Sequence, residues 1–379
     1  MPEECKASQP KNVKNITNEL SGALGDLGTF LPHVLASVAI VGLNPGSVLT
    51  WFGLFYIFSG WFYRIPMSVQ PMKAASAAVL VQKLSSNEIA ASGMIIGAVL
   101  LLLGITGLIA KLAQVTPTGV TTGIQVGLGL SLAILGTKMV LGDWLIGVII
   151  LTGMLPLLSN RRFPAALFAL VAGILLQLWL HPQFTPISIS FGFHLPQWTL
   201  PGVQDFERAF TMVAIPQLPL TLTNAILVTV AISSELYGKQ ASRVTEKNLT
   251  LTMGIANLIA APLGGYMMCH GSGGVAAHYR FGGRTVITPL LIGFILLSLG
   301  VLLGKDAVFL FKVIPNGALG SLLFYSGIDL AMAARGYSNR SEGFVVLLVA
   351  ALTLAINPAV AFLAGLIADL GIKRNLLKV

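Results

Sequence analysis

Charge is what this chain has least of. Only 10% of its residues are Asp, Glu, Lys or Arg, against roughly 25% in soluble domains, which excludes an ordinary soluble protein. Its two cysteines, Cys5 and Cys269, lie far apart, and Cys5 falls in a polar tail, so no disulfide framework is expected. No Cys/His spacing suits a resident metal. No GxxxxGK[ST] loop is present, which argues against ATP hydrolysis, and no nucleophile–base pair points to an enzyme. No cofactor is expected. Residues 1–19 are polar, with Glu3, Glu4, Lys6, Lys11, Lys14 and Glu19, and lack the apolar core and cleavage site of a signal peptide. They are expected to form a solvated cytoplasmic tail, with the first span retained.

What remains is apolar. Hydrophobic residues make up 55% of the chain, mean hydropathy is +0.83, and long apolar stretches recur at 91–110, 123–136, 144–158, 286–303 and 344–356. A helix needs about 20 such residues to cross the hydrocarbon core, whereas a β-barrel would show alternating segments of about ten. The expectation is an all-α polytopic membrane protein in a lipid bilayer. Fourteen segments can be drawn: 20–41, 47–63, 66–84, 89–110, 117–137, 143–158, 163–180, 211–235, 247–262, 266–281, 286–303, 307–332, 341–356 and 358–372. A polar, Pro-rich link, 181–210, divides them seven and seven, into 20–180 and 211–372.

The two halves echo each other. Segments 3 and 10 are both short and broken: IPMSVQPMKAASAA at 65–78 and YMMCHGSGGVAAHYR at 266–280. Segments 5 and 12 begin alike, TPTGV at 116–120 and IPNGA at 314–318, as do segments 7 and 14, FPAALFALVAGI at 163–174 and NPAVAFLAGLIA at 357–368. The three anchors are separated by nearly one offset, which argues for duplication. Seven segments are an odd number, so the second repeat enters the membrane inverted. With the N-terminus cytoplasmic, seventeen of the 23 Lys and Arg residues fall inside, four outside, and Lys73 and Lys312 within segments. That agrees with the positive-inside rule. The net charge of +9 is then topogenic and requires no nucleic acid. Both termini are expected in the cytoplasm, and the absence of targeting signals favours a plasma (inner) membrane.

Paired broken segments in the two halves point to a transporter's binding site. In segment 3 an extended run, Met67–Gln70, precedes Pro71, which suits the first position of a helix. Such backbone is tolerated at membrane depth only inside the protein or beside a cavity. The helix that follows would start there with unpaired N–H groups and a positive dipole end. Lys73 adds a cation that invites an anion, unless it pairs with a carboxylate. In segment 10, Gly271, Ser272, Gly273 and Gly274 repeat this arrangement; tight helix packing is the other use of such residues. Segment 1 carries Asp26 and Thr29 in GDLGTFLP, 25–32. Asp26 could relay protons, bind a cation or orient Lys73, and embedded acids are functional by default. Segment 8 carries PQLPLTLTN, 216–224, where Pro216 and Pro219 break helical bonding near Gln217, Thr221, Thr223 and Asn224. His270 could couple protons, bind ligand or be structural. His33, His181, His194 and His278 carry weaker signals and read as structural or peripheral.

GDLGTFLP, PMSVQPMKAASAA, PQLPLTLTN and MMCHGSGGVAAHYRFGGRT together resemble the molybdate transporter family, within the sulfate permease and uracil permease superfamily. The resemblance covers nearly all of 20–370. It implies a core domain (20–110 and 211–303) and a gate domain (111–180 and 304–372), with substrate between the helix tips of segments 3 and 10, beside segments 1 and 8. Two departures count. Sulfate permeases carry a STAS domain after the last segment; here only 373–379 follow, so none is expected. Nucleobase permeases carry acids facing the ligand in segments 8 and 10, where this chain offers Gln217, Thr221, Asn224, His270 and Ser272. A neutral site with Lys73 and two dipole ends suits an oxyanion better than an uncharged base. The expectation is a secondary transporter importing molybdate, with tungstate competing, by alternating access. The candidate substrate ligands are Thr29, Gln70, Met72, Lys73, Gln217, Thr221, Asn224, His270, Gly271, Ser272 and Gly273. Asp26 and His270 are the proton-coupling candidates. The alternatives are a sulfate or other oxyanion transporter, or an anion channel. A homodimer is one expected assembly.

Overall fold

The structure is a computed structural model describing residues 16–109, 117–158, 165–181, 191–307, 313–332 and 339–377. Most of the expected N-terminal tail, Cys5, Lys111, Arg161, Arg162, Lys312 and Arg335 lie outside these residues.

Helices follow one another along the chain. α1 (Ile16–Gly25) and α2 (Leu27–Val41) meet at a 46° bend around Asp26. Then come α3 (Pro45–Tyr63), α4 (Lys73–Gln82), α5 (Ser86–Thr106), α6 (Thr118–Gly142), α7 (Trp144–Met154) and α8 (Ala165–Leu180). α9 spans 41 residues, Val203–Arg243, and its end, Gly238–Arg243, is wound as a 3-10 helix. It is followed by α10 (Glu246–Ala260), α11 (Ser272–Arg280), α12 (Ile287–Leu303), α13 (Asn316–Met332), α14 (Arg340–Ala355) and α15 (Pro358–Lys373). Each of the fourteen expected ranges holds a helix. Among the described residues four helices are long and apolar enough to cross a membrane: Ser86–Thr106, Thr118–Gly142, Val203–Arg243 and Ile287–Asp306. The bent α1–α2 pair makes a fifth if counted as one span. The others are shorter, broken or less apolar.

Several boundaries differ from expectation; for example, the helix drawn as 117–137 runs to Gly142. The link drawn as 181–210 gives up its last residues to α9, because Asp205 accepts the Gly202 N–H at 2.7 Å and anchors a helix start there. Within α9, Pro216 and Pro219 supply no N–H. The helix widens into π turns on either side of them, at Phe210–Ala214 and Thr221–Leu227. Such π turns are common at functional sites.

The helices pack in two groups. In one, α3 lies along α12 and α5 along α10; in the other, α6 lies along α13 and α14, α7 along α8 and α13, and α14 along α15. The first two crossings are set by glycine. A Cβ at Gly53 would fall 2.7 Å from Gly293 O, and one at Gly97 would fall 3.0 Å from Gly254 O. Backbones approach this closely only without side chains, which is how membrane helices gain contact in the absence of a hydrophobic drive between them.

Candidate functional site

The two broken segments meet. β1 (Gln70–Pro71) pairs antiparallel with β2 (Met268–Cys269), in the register Gln70 with Cys269 and Pro71 with Met268. The ladder extends by Met72 N–H to Met267 O at 3.0 Å. On its outer edge Asn257 of α10 accepts the Met268 N–H at 2.9 Å and donates to Met268 O at 2.7 Å. Backbone polar groups at this depth are therefore satisfied by protein. Because the strands are antiparallel, α4 and α11 leave the ladder in opposite directions. The Ala-rich run of α4 forms a helix readily, and Ala74–Leu80 are all buried.

The first two residues of each short helix, Lys73 and Ala74 of α4 and Ser272 and Gly273 of α11, line one cavity of about 320 Å³. Two positive helix ends thus border a single space. Gln70, Gln217, Asn224 and Gly271 line it too, as do Gln125 of α6 and Asp329 and Leu330 of α13. Asn224 comes from the second π turn of α9. Gln217 is committed on both sides: its Oε1 accepts the Ala75 N–H at 2.8 Å, capping α4, and its Nε2 donates to Thr221 Oγ1 at 2.9 Å. Lys73 Nζ lies 3.2 Å from Asp329 Oδ2. This pair ties α4 to α13.

A second cavity, of about 250 Å³, lies on the other side of Lys73 and Asp329, with Gly25, Gly28, Thr29, Ala165, Arg280 and Tyr325 on its wall. Behind Thr29 is a buried polar cluster. Asp26, fully buried, accepts from Gln70 Nε2, from Thr29 Oγ1 at 2.8 Å and from the Tyr56 hydroxyl at 2.5 Å. His278 of α11 completes it, with Nε2 3.6 Å from Asp26 Oδ2. The bend between α1 and α2 places Asp26 here.

Of the eleven substrate candidates, the structure brings Gln70, Lys73, Gln217, Asn224, Gly271, Ser272 and Gly273 to the central cavity. Thr29 lines the second cavity and reaches the first only through Gln70. Met72 and Thr221 are fully buried. Met72 is the extended residue before α4, and the Thr221 hydroxyl is held by Gln217. His270 faces away. Side chains alternate along a strand, and Cys269 lines the cavity, so its neighbour points to the opposite side. There its ring meets Ser68 O at 2.9 Å and Thr252 Oγ1 at 3.2 Å, packed by Phe55 and Tyr63. Asp26 does not orient Lys73; Asp329 does. Sequence reasoning missed Asp329, Gln125 and Tyr56, and set His278 aside as structural or peripheral. The rule that singles out Asp26, an acid inside an apolar span, applies equally to Asp329 in SGIDLAM.

A sequence model of a family described as "Molybdate transporter of MFS superfamily" matches residues 18–132 and 209–330. The chain is 30% identical to "Molybdate transporter 2" of Arabidopsis thaliana over 95% of its own length and 88% of that protein's. It is also 30% identical to "Molybdate transporter 1" of the same plant, over 92% and 86%. Among solved structures, the transmembrane domain of a cyanobacterium bicarbonate transporter, BicA, superposes with a TM-score of 0.67 at 20% identity, covering 95% of this chain and 98% of that one. The likeness to BicA is one of fold.

Proposed function

The chain belongs to the molybdate transporter family, whose members are membrane transporters and not enzymes, and from that premise we propose that it imports molybdate, with tungstate competing, by alternating access. The oxyanion binds in the central cavity between the N-terminal turns of α4 and α11. Lys73 supplies charge, the two helix ends add partial positive charge, and Asn224 and Ser272 supply hydrogen bonds, while the Gln70 amide N–H groups are held by Asp26 and Thr29. The observation that carries this is the meeting of both helix tips and Lys73 on one 320 Å³ space. That space also has walls from the two broken segments, through Gln70 and Ser272, and from α6 and α13, through Gln125 and Asp329. A carrier needs its site at such a seam.

In this proposal the first group is the core (20–110 and 211–303) and the second the gate (111–180 and 304–372). Fourteen segments form two inverted repeats, both termini are cytoplasmic, and the protein resides in a plasma (inner) membrane, as a homodimer. The packing supports a two-fold relation. If segments 2, 4, 9 and 11 are α3, α5, α10 and α12, then the α3–α12 and α5–α10 crossings are the same contact made twice.

Titration calorimetry on the purified chain with molybdate, tungstate and sulfate tests the substrate. Molybdate and tungstate are expected to bind alike and sulfate more weakly. Tighter sulfate binding would reassign the chain to another oxyanion. Lys73→Ala is expected to weaken molybdate binding about 10- to 100-fold, since a hydrogen bond to a charged group contributes about 1.5–3 kcal/mol. Unchanged affinity would remove Lys73 from the site.

A further inference from the structure

His278 lies outside the cavity yet touches its machinery. Its Nδ1 is 2.8 Å from Gly22 O. A carbonyl oxygen only accepts, so Nδ1 carries a hydrogen. Its Nε2 has no hydrogen-bond partner and faces Asp26 Oδ2 at 3.6 Å. A neutral ring in this tautomer would aim the Nε2 lone pair at a carboxylate, two acceptors face to face and both fully buried. One proton, on Nε2 or on Oδ2, removes the conflict. Asp26 also borders the first turn of α11: a Cβ at Gly274 would fall 2.6 Å from Asp26 Oδ1. The carboxylate therefore already occupies the neighbourhood of the helix end that receives the oxyanion, and two anions compete for one positive terminus.

We infer that Asp26 and His278 share a single proton and form the proton site of this transporter, linked to the oxyanion through the first turn of α11 and the Gln70 amide. The inference rests on the oxyanion site proposed above. With its proton the pair is neutral; without it the pair carries one negative charge beside the anion. Oxyanion binding and protonation therefore favour each other, and the linkage is reciprocal. Gly25 and Thr29, which flank Asp26, line the second cavity and give a proton a route to the pair.

Other titratable groups on the packed elements are engaged elsewhere. Tyr56 of α3 donates to Asp26. Lys73 of α4 is bound by Asp329. Glu19 of α1 accepts from Thr288 and from the N–H groups of Arg284 and Thr285. On α9, Tyr237 packs on Tyr279 and Glu235 is exposed. Arg280, on the same helix as His278, lies over the Phe281 ring. His270 is held by Ser68 and Thr252 on the far side of the ladder.

The test is molybdate affinity of the purified full chain between about pH 5.5 and 8.5. Wild type is expected to lose up to about tenfold in affinity per pH unit as pH rises, the signature of one linked proton. The variants should move in opposite directions. Asp26→Asn abolishes the negative charge, so its affinity is expected to be flat with pH and higher than wild type at the alkaline end. His278→Gln strands the buried carboxylate, so its affinity at neutral pH is expected to fall by about tenfold or more. Equal losses in both variants with the wild-type slope retained would overturn the inference. If wild type binds no oxyanion at any pH, the substrate proposal fails by itself, and ¹⁵N-histidine NMR decides the proton site. A His278 signal that carries the shared proton and changes in Asp26→Asn supports it; a neutral ring insensitive to that substitution overturns it.

Discussion

The Lys73–Asp329 contact is weak in spite of its geometry. Asp329 is 67% exposed and Lys73 28%, and an ion pair so open to solvent contributes about 0–1 kcal/mol. A dianion flanked by two helix ends can therefore displace Asp329 from Lys73 at small cost. Asp329→Asn is expected to raise molybdate affinity by up to about fivefold, the worth of removing a competitor of about 1 kcal/mol. A fall in affinity would instead make Asp329 part of the substrate's own shell. Lys73 was legible in the sequence because a cation in the first turn of an embedded helix is unfavourable unless something answers it. Its partner was not, because nothing local in SGIDLAM says that it meets a residue 256 positions away. His270 and His278 teach the same lesson at closer range. Both lie in one short stretch, and only the pairing register of β2 turns the first away from the cavity, while the helical phase of α11 brings the second to Asp26.

At the scale of elements, the two half-helices were visible as apolar segments too short and too broken to cross a bilayer, with Pro71 and Gly271 marking the breaks. Their meeting was not visible, since a two-residue ladder leaves no alternation to read. The glycine at 271 shows how closely the halves fit. A Cβ there would collide with the Gln70 amide, the group that joins the cavity to Asp26. Gly271→Ala is expected to abolish measurable molybdate binding while the detergent-solubilised protein keeps its helical circular dichroism and elution volume. Retained binding would mean that Gln70 can leave without consequence. The helix starts also answer one another across the fold. Glu19, at the start of the first half, accepts from Thr288 and the backbone just before α12. Arg208, in the first turns of α9, meets Glu88, in the capping box of α5. Under the proposed two-fold relation, segments 1 with 11 and 8 with 4 would be clamped in the same way with different chemistry, which would leave identity between the halves faint in the sequence.

For the whole molecule, the composition and the hydrophobic runs already specified a helical membrane protein. Which helices pack together could be expected only from the family resemblance, because apolar helices carry no label for their neighbours. A carrier that works along the seam between these groups is expected to show counterflow: molybdate loaded inside proteoliposomes should accelerate uptake of labelled molybdate from outside, and flux should saturate. Steady conductance in planar bilayers without counterflow would identify a channel. The small β1–β2 ladder has one more consequence. It fastens the two helix ends, Lys73 and Ser272 into a unit whose internal distances need not change when it travels. A cradle carried whole between two compartments holds its cargo with equal strength at both ends of the journey, so it has no intrinsic preference for direction. Accumulation against a gradient must then be driven by something that boards with the cargo and not by the cradle loosening its grip.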